Sequence, residues 1–166
     1  QMPLCRARVE AVQEFRLNST SAGTLKLAEK PTRFHVENMP GGTYIVLPEV
    51  SSEKRRYVPF GFMDDSVLCS NLVKLMPNAT LYHFGVLTSN VHMAWMRTVA
   101  GRLKSDYRYS KDIVYNNFPW CTPTDEQRAV IEKTAQGILD ARARYPESSL
   151  ADLYDDVTMP PDLREA

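Results

Sequence analysis

Residues 79–99 constrain the fold more than any other stretch, because the apolar spacing changes period there. Upstream, from Arg33 to Met76, β-branched and aromatic residues come in short runs bounded by Gly, Pro and Asp, the pattern of strands. Then Leu81, Phe84, Leu87, Val91, Ala94, Trp95 and Val99 fall on helical faces, with a break near Ser89-Asn90 that predicts two helices. From Arg102 to Tyr109 the composition returns to that of a strand. A chain ordered this way reads as α+β. The expected architecture is an antiparallel-leaning β-sheet with an inserted helical pair and flanking N- and C-terminal helices.

The flanks fit that scheme. Pro3 stands where a helix can begin, and Leu4, Val9, Val12, Phe15 and Leu17 follow at near-helical spacing until Asn18–Gly23 breaks them. A short helix over Thr24–Glu29 precedes Pro31. Arg33–Val36 is a candidate strand, Gly41-Gly42 a turn, and Tyr44–Leu47 a strand. Ser51–Arg56 reads as a hairpin connection and Tyr57–Met63 as the returning strand, with Pro59 marking an edge or bulge. Asp64-Asp65 turns the chain, Val67–Met76 supplies more strand, and Arg102–Tyr109 reads as one further strand. Tyr115–Trp120 is a loop. Thr124 caps a long helix, with Gln127 as its capping-box partner, and a short helix starts at Ser149.

Composition sets the broad class. A chain of 166 residues buries roughly 70% of its unfolded surface. Its 43% hydrophobic and 24% charged residues describe a folded domain. Formal net charge is zero, but unevenly placed: residues 1–122 carry 15 Lys and Arg against 10 Asp and Glu, a net of +5, and residues 123–166 carry 5 against 10, a net of −5. One face is then basic and another acidic, unless the acidic helical tail is simply solvated. Cys5, Cys69 and Cys121 are odd in number and far apart, so neither a disulfide framework nor a zinc site is expected, and reduced, buried thiols are. No run of 18 apolar residues and no signal peptide occurs, which leaves out a membrane partner and points to the cytoplasm. Both ends read as cuts inside a longer protein.

Motifs for chemistry are missing. There is no Gly-rich phosphate or dinucleotide loop and no GxSxG elbow. His35, His83 and His92 do not have metal-ligand spacing and read as packed or surface histidines. Asp64-Asp65 and Asp155-Asp156 are adjacent pairs of the kind found in turns. Asn116-Asn117-Phe118-Pro119-Trp120 differs in order from the Asn-Pro-Pro-aromatic loop of amino-directed methyltransferases, and reads as a structural loop with Trp120 anchored in the core. No catalytic residue, cofactor, metal or small-molecule substrate is assigned to these residues.

The segment Gly101–Ser110 carries what chemistry remains. Arg97, Arg102, Lys104, Arg108 and Lys111 stand against a single acid, Asp106, with Tyr107 and Tyr109 interleaved. Positive charge along a surface suits phosphates, and side chains with fixed donor and acceptor patterns suit base edges. On one strand Arg102, Lys104, Asp106 and Arg108 share a face. Lys104 can then donate to guanine O6 or N7 while Asp106 accepts from cytosine N4. A solvated edge strand with cross-strand ion pairs accounts for the same residues.

Several long strings resemble the C-terminal target-recognition region of the MmeI-like enzymes, the type IIL branch of single-chain restriction–modification proteins. They include Leu47–Tyr57, Leu81–Ser89, His92–Arg97, Tyr107–Ser110, Ile113–Trp120 and Met159–Arg164, and they extend over nearly the whole chain. The resemblance implies a double-stranded DNA partner and sequence-specific recognition for an adenine-N6 methyltransferase and endonuclease elsewhere in the same chain. That parent would use S-adenosylmethionine, and Mg for cleavage. It implies a helical lead-in over 1–30, a DNA target-recognition domain over 31–122 and a C-terminal helical segment over 123–166. The base-reading positions it implies are Glu49 with Asn71, Leu72 with Arg108, and Lys104 with Asp106. Ser51, Ser52, Lys54, Arg55, Arg56 and Arg102 are the implied phosphate contacts. The alternative is a module that docks to the methyltransferase domain without reading bases.

Overall fold

The expected first helix forms where Pro3 allows it: α1 spans Pro3–Leu17, with the proline in its first turn. This is a computed structural model describing residues 2–37 and 39–166, and it divides into two units, one ending at Met39 and one running Pro40–Ala166. In the first unit, α2 (Ala22–Lys26) is capped by Ser21, whose hydroxyl accepts from the Thr24 amide, and runs on into a tight turn over Leu27–Glu29. Arg16 ties this unit together by donating to the carbonyls of Leu27, Lys30 and Arg33 at 3.0, 2.8 and 2.6 Å. Arg33–Val36 is not the expected strand. The Arg33 carbonyl is taken by Arg16 and the Phe34 amide by the Glu37 carboxylate, so local side chains occupy groups that a ladder would need.

The second unit holds two antiparallel three-stranded sheets rather than one. The first is ordered β3-β1-β4, from β1 (Tyr44–Pro48), β3 (Gly61–Met63) and β4 (Val73–Pro77). The second is ordered β2-β6-β5, from β2 (Val50–Ser51), β5 (Gly101–Leu103) and β6 (Asp106–Arg108). The expected strand over Tyr57–Met63 shrinks to its last three residues. Pro59 has no amide to give, and the Val58 amide points at the Met93 sulfur, 3.4 Å away. β3 is an edge strand, as the proline before it indicates. Ser51 is strand, not hairpin connection, because it pairs with Tyr107 across the second sheet. The stretch before Val73 is also loop rather than strand, with the Asp64 carboxylate accepting from the Ser66 amide and hydroxyl.

The helical pair follows the sequence pattern: α3 spans Leu81–Thr88 and α4 Asn90–Val99, with Ser89 capping the second by accepting from the His92 amide. Phe84, Leu87, Met93 and Met96 point into the core with Ile45, Leu47, Val58, Phe60, Tyr109 and Val114. The long helix α5 (Asp125–Ala143) starts at the Thr124–Gln127 capping box and packs on α3 at Gly85. Arg142 in its last turn donates to the Phe60 carbonyl and to the Tyr154 hydroxyl, which fastens α5 to the strand side and to α6 (Leu150–Leu153). α7 (Pro161–Glu165) ends the unit, with Leu163 buried. Trp120 packs against the core beside Phe118 and Tyr115, as expected of a structural loop. The cysteines correct the expectation of buried thiols: all three are free, but Cys5 and Cys121 are exposed and Cys69 is half-buried.

Candidate nucleic-acid interface

The two sheets meet at Glu49. β1 ends at Pro48 and β2 begins at Val50, so the chain leaves one sheet and enters the other through this residue. Its amide donates to the Leu72 carbonyl at 2.9 Å, and its carbonyl accepts from the Tyr109 amide at 2.8 Å. The backbone of Glu49 is therefore pinned from both sheets, and its side chain is aimed by rigid elements rather than by a loop.

That side chain lines an open groove of about 550 Å³ together with Lys74, Arg102, Arg108, Lys111 and Asp112. Four of these are cations and two, counting Glu49, are acids. Lys74 Nζ lies 2.8 Å from Glu49 Oε1. The Lys74 hydrogen bond holds the Glu49 carboxyl below its ordinary range, helped by the charges of Lys74 and Arg108 and opposed by desolvation. Glu49 is thus an ionised, acceptor-only group in cationic surroundings, suited to polar donors. The cations around it suit anionic ligands.

Arg102–Tyr109 corrects the single expected strand. It is a hairpin, β5 and β6, joined by Lys104-Ser105. Lys104 has φ 57, and a positive φ at the first turn residue is a feature of the primed hairpin turns. The shared face read from alternation therefore fails at two positions. Arg102 pairs with Tyr107, and its guanidinium lies over the Tyr107 ring at 3.8 Å. Asp106 and Arg108 share the opposite face, with Lys104 out at the tip. Asp106 also accepts from the Glu53 amide at 3.3 Å.

The implied base-reading residues line up along this junction. Leu72 is bonded to Glu49 through the backbone, exposed at 63%, with the exposed Asn71 beside it. Arg108 stands opposite Val50, the residue after Glu49, and lines the same groove. Asp106 lies two residues further along β6, and Lys104 at the turn beyond. Of the implied phosphate contacts, Lys54 and Arg56 are exposed and Ser52 and Arg55 half-buried on the loop after β2. Arg102 reaches toward Glu53 at 3.7 Å. Ser51 is only 2% exposed, with its hydroxyl buried and unpartnered, so it does not reach the surface. Its pairing with Tyr107 turns it inward.

Two groove residues escaped the sequence reading. Lys111 belongs to the basic run, whose pattern assigns it no role. For Lys74 the one signal in the sequence is its position as a lone lysine inside the apolar run Val73-Lys74-Leu75-Met76.

Fold and groove define an α+β module with a charged groove at the junction of two small sheets. Residues 1–122 match the model of the MmeI target recognition domain, and residues 123–166 that of the MmeI C-terminal domain. The chain belongs to the MmeI family. A solved structure of the type IIL restriction–modification enzyme MmeI in complex with DNA is 47% identical with a TM-score of 0.89, over 99% of this chain and 22% of that one. DNA methyltransferase A of Bacillus subtilis (strain 168) is 40% identical over 164 residues, which is 99% of this chain and 18% of the relative. The chain spans about a fifth of the length of these two proteins. Among the described residues no helix is long and apolar enough to cross a membrane.

Proposed function

We propose that this chain recognises a short double-stranded DNA sequence on behalf of an adenine-N6 methyltransferase carried by the same protein. The observation that carries the reading is the convergence of Glu49, Leu72 and Arg108, from three separate parts of the sequence, at the junction of the two sheets. Glu49 supplies an acceptor for cytosine N4 or adenine N6, and Arg108 a forked donor for guanine. Glu49 with Asn71, Leu72 with Arg108, and Lys104 with Asp106 are assigned to three base pairs. Along a strand, residues two apart are separated by about 6.6 Å, close to two base-pair steps of about 3.4 Å, which suits Asp106 and Arg108 reading different pairs. Ser52, Lys54, Arg55, Arg56 and Arg102 are assigned to phosphates, and the buried Ser51 leaves that set.

In the same reading, residues 1–30 lead in from the methyltransferase domain, 31–122 read the DNA and 123–166 form a helical support. In this reading S-adenosylmethionine, and Mg²⁺ for cleavage, serve the rest of that protein. The cytoplasm is the compartment that DNA implies. The test is Lys104→Glu combined with Asp106→Arg in the full-length enzyme, with methylated sites mapped by sequencing. The preferred base pair is expected to change at one position only. An unchanged methylation motif removes Lys104 and Asp106 from the reading set.

A further inference from the structure

Lys74 is none of the residues assigned to a base or a phosphate, yet it makes the shortest charged contact in the groove. It lies on β4 opposite the buried Leu47 of β1, so its backbone is fixed by the first sheet. Its stem borders a second cavity with Leu47, Tyr109 and Tyr115, and its ammonium reaches out to Glu49 Oε1 at 2.8 Å. The lysine thus lies with its apolar length along the core surface and its charge at the groove. Its side chain is 40% exposed and that of Glu49 is 20% exposed. The contact therefore sits at the mouth of the groove, where a ligand would meet it. Only one of the two carboxylate oxygens is engaged, and a carboxylate has about four lone-pair sites. Fixing Oε1 sets the plane of the carboxylate and leaves Oε2 for an incoming donor.

We infer that Lys74 is a positioning residue for base recognition, holding the Glu49 carboxylate through Oε1 so that Oε2 accepts from a base amino group. This rests on the reading of Glu49 as a base contact. Without Lys74 the carboxylate keeps its place in the chain, because its backbone is held by Leu72 and Tyr109. It loses its orientation and the partner that most favours its charge. A protonated carboxyl is a donor as well as an acceptor, so it no longer distinguishes an amino group from a keto oxygen. The other charges facing Glu49 are Arg108 on β6, Arg102 on β5, and Lys111 and Asp112 on the following turn. Of these, Arg108 also lowers the carboxyl pKa, so ionisation is weakened rather than abolished.

The test uses the full-length enzyme carrying Lys74→Met, Lys74→Arg or Glu49→Gln. Methylation rates are measured on duplexes with each of the four base pairs at each recognition position, from pH 5.5 to 8. For Lys74→Met, discrimination at one position should fall about tenfold, and fall further toward pH 5.5, while the other positions stay unchanged. Lys74→Arg should keep discrimination within about threefold, because a guanidinium supplies the same charge-assisted bond. Glu49→Gln should lose discrimination at that same position with no such pH dependence. An equal drop on every sequence with Lys74→Met makes Lys74 a phosphate contact or a packing residue and overturns the inference. Full loss with Lys74→Arg makes the ammonium itself the reader and also overturns it. If Glu49→Gln changes no position, the reading of Glu49 fails, whatever Lys74 does.

Discussion

His92 Nε2 and the Tyr109 hydroxyl lie 2.9 Å apart, both wholly inside the core, and the Tyr109 amide is the donor that holds the Glu49 carbonyl. The core is thus tied to the backbone of Glu49, at the charged groove, through Tyr109. Burial pushes the His92 pKa down from 6.5 to about 4. The imidazole stays neutral in the folded protein while the unfolded chain takes up a proton near pH 6.5. Stability contributed by neutral His92 is therefore complete above about pH 6.5 and lost as the pH falls toward 4, by roughly 3 kcal/mol. Urea unfolding at pH 7.5 and 5.0 should show about 2 kcal/mol of this drop, and His92→Gln should remove most of it. His83, also shifted down by burial, contributes a residual slope of the same sign.

Lys104 has two properties that a substitution can separate. Its φ of 57 strains an L residue by about 1–2 kcal/mol, and glycine relieves that at an entropic cost of about 0.5–1 kcal/mol. Lys104→Gly should therefore leave the fold slightly more stable, by about 0.5 kcal/mol in denaturant melts. In the full-length enzyme the same change should relax discrimination at a single base pair. A destabilised Lys104→Gly protein would show that the lysine is held in this turn by contacts worth more than the strain.

The helices were legible because their signals are local. Pro3 marks a start by its fixed φ and missing amide, and Ser89, Thr124 with Gln127, and Ser149 each mark one through a cap that neighbouring residues complete. The strands were less legible because pairing is decided at a distance. Pro59 marks an irregularity after Tyr57 but does not say that pairing waits until Gly61, and nothing near Glu49 says that the chain changes sheets there. Alternation placed Arg102, Lys104, Asp106 and Arg108 on one face, and a two-residue turn without glycine broke it. Ser51 was misread for the same reason, since its burial follows from pairing with Tyr107 and not from its polar neighbours.

Lys54 tests the electrostatic part of the interface. It is exposed on the loop after β2, with its amide bonded to the Ser52 hydroxyl, and its side chain makes no ion pair among the described residues. A phosphate contact of this kind releases one counterion. Lys54→Ala in the full-length enzyme should weaken binding to cognate and non-cognate duplexes alike and reduce the slope of log K against log salt by about 0.9. An unchanged slope removes Lys54 from the phosphate set and leaves its neighbours Arg55 and Arg56 to be tested in turn.

Gly85 sets how closely α3 and α5 approach. A Cβ at this position would lie 2.8 Å from Ile131 Cγ2 and 3.1 Å from both the Ala135 Cβ and the Ile131 carbonyl oxygen. In an open helix, replacing glycine with alanine stabilises by about 1 kcal/mol. Here the methyl group meets backbone as well as side chain, and overpacking of that kind costs about 1–3 kcal/mol. The clash wins, because Ile131 cannot withdraw without moving α5 off the core. Gly85→Ala should lose about 1 kcal/mol net and lower Tm by about 2–4 °C. Gly137, in α5 itself, is the matched control: nothing lies within 4 Å of its added Cβ. Gly137→Ala should raise Tm by a similar amount through helix propensity alone. If both changes moved Tm upward, α3 and α5 would have to pack less tightly at Gly85 than these distances state.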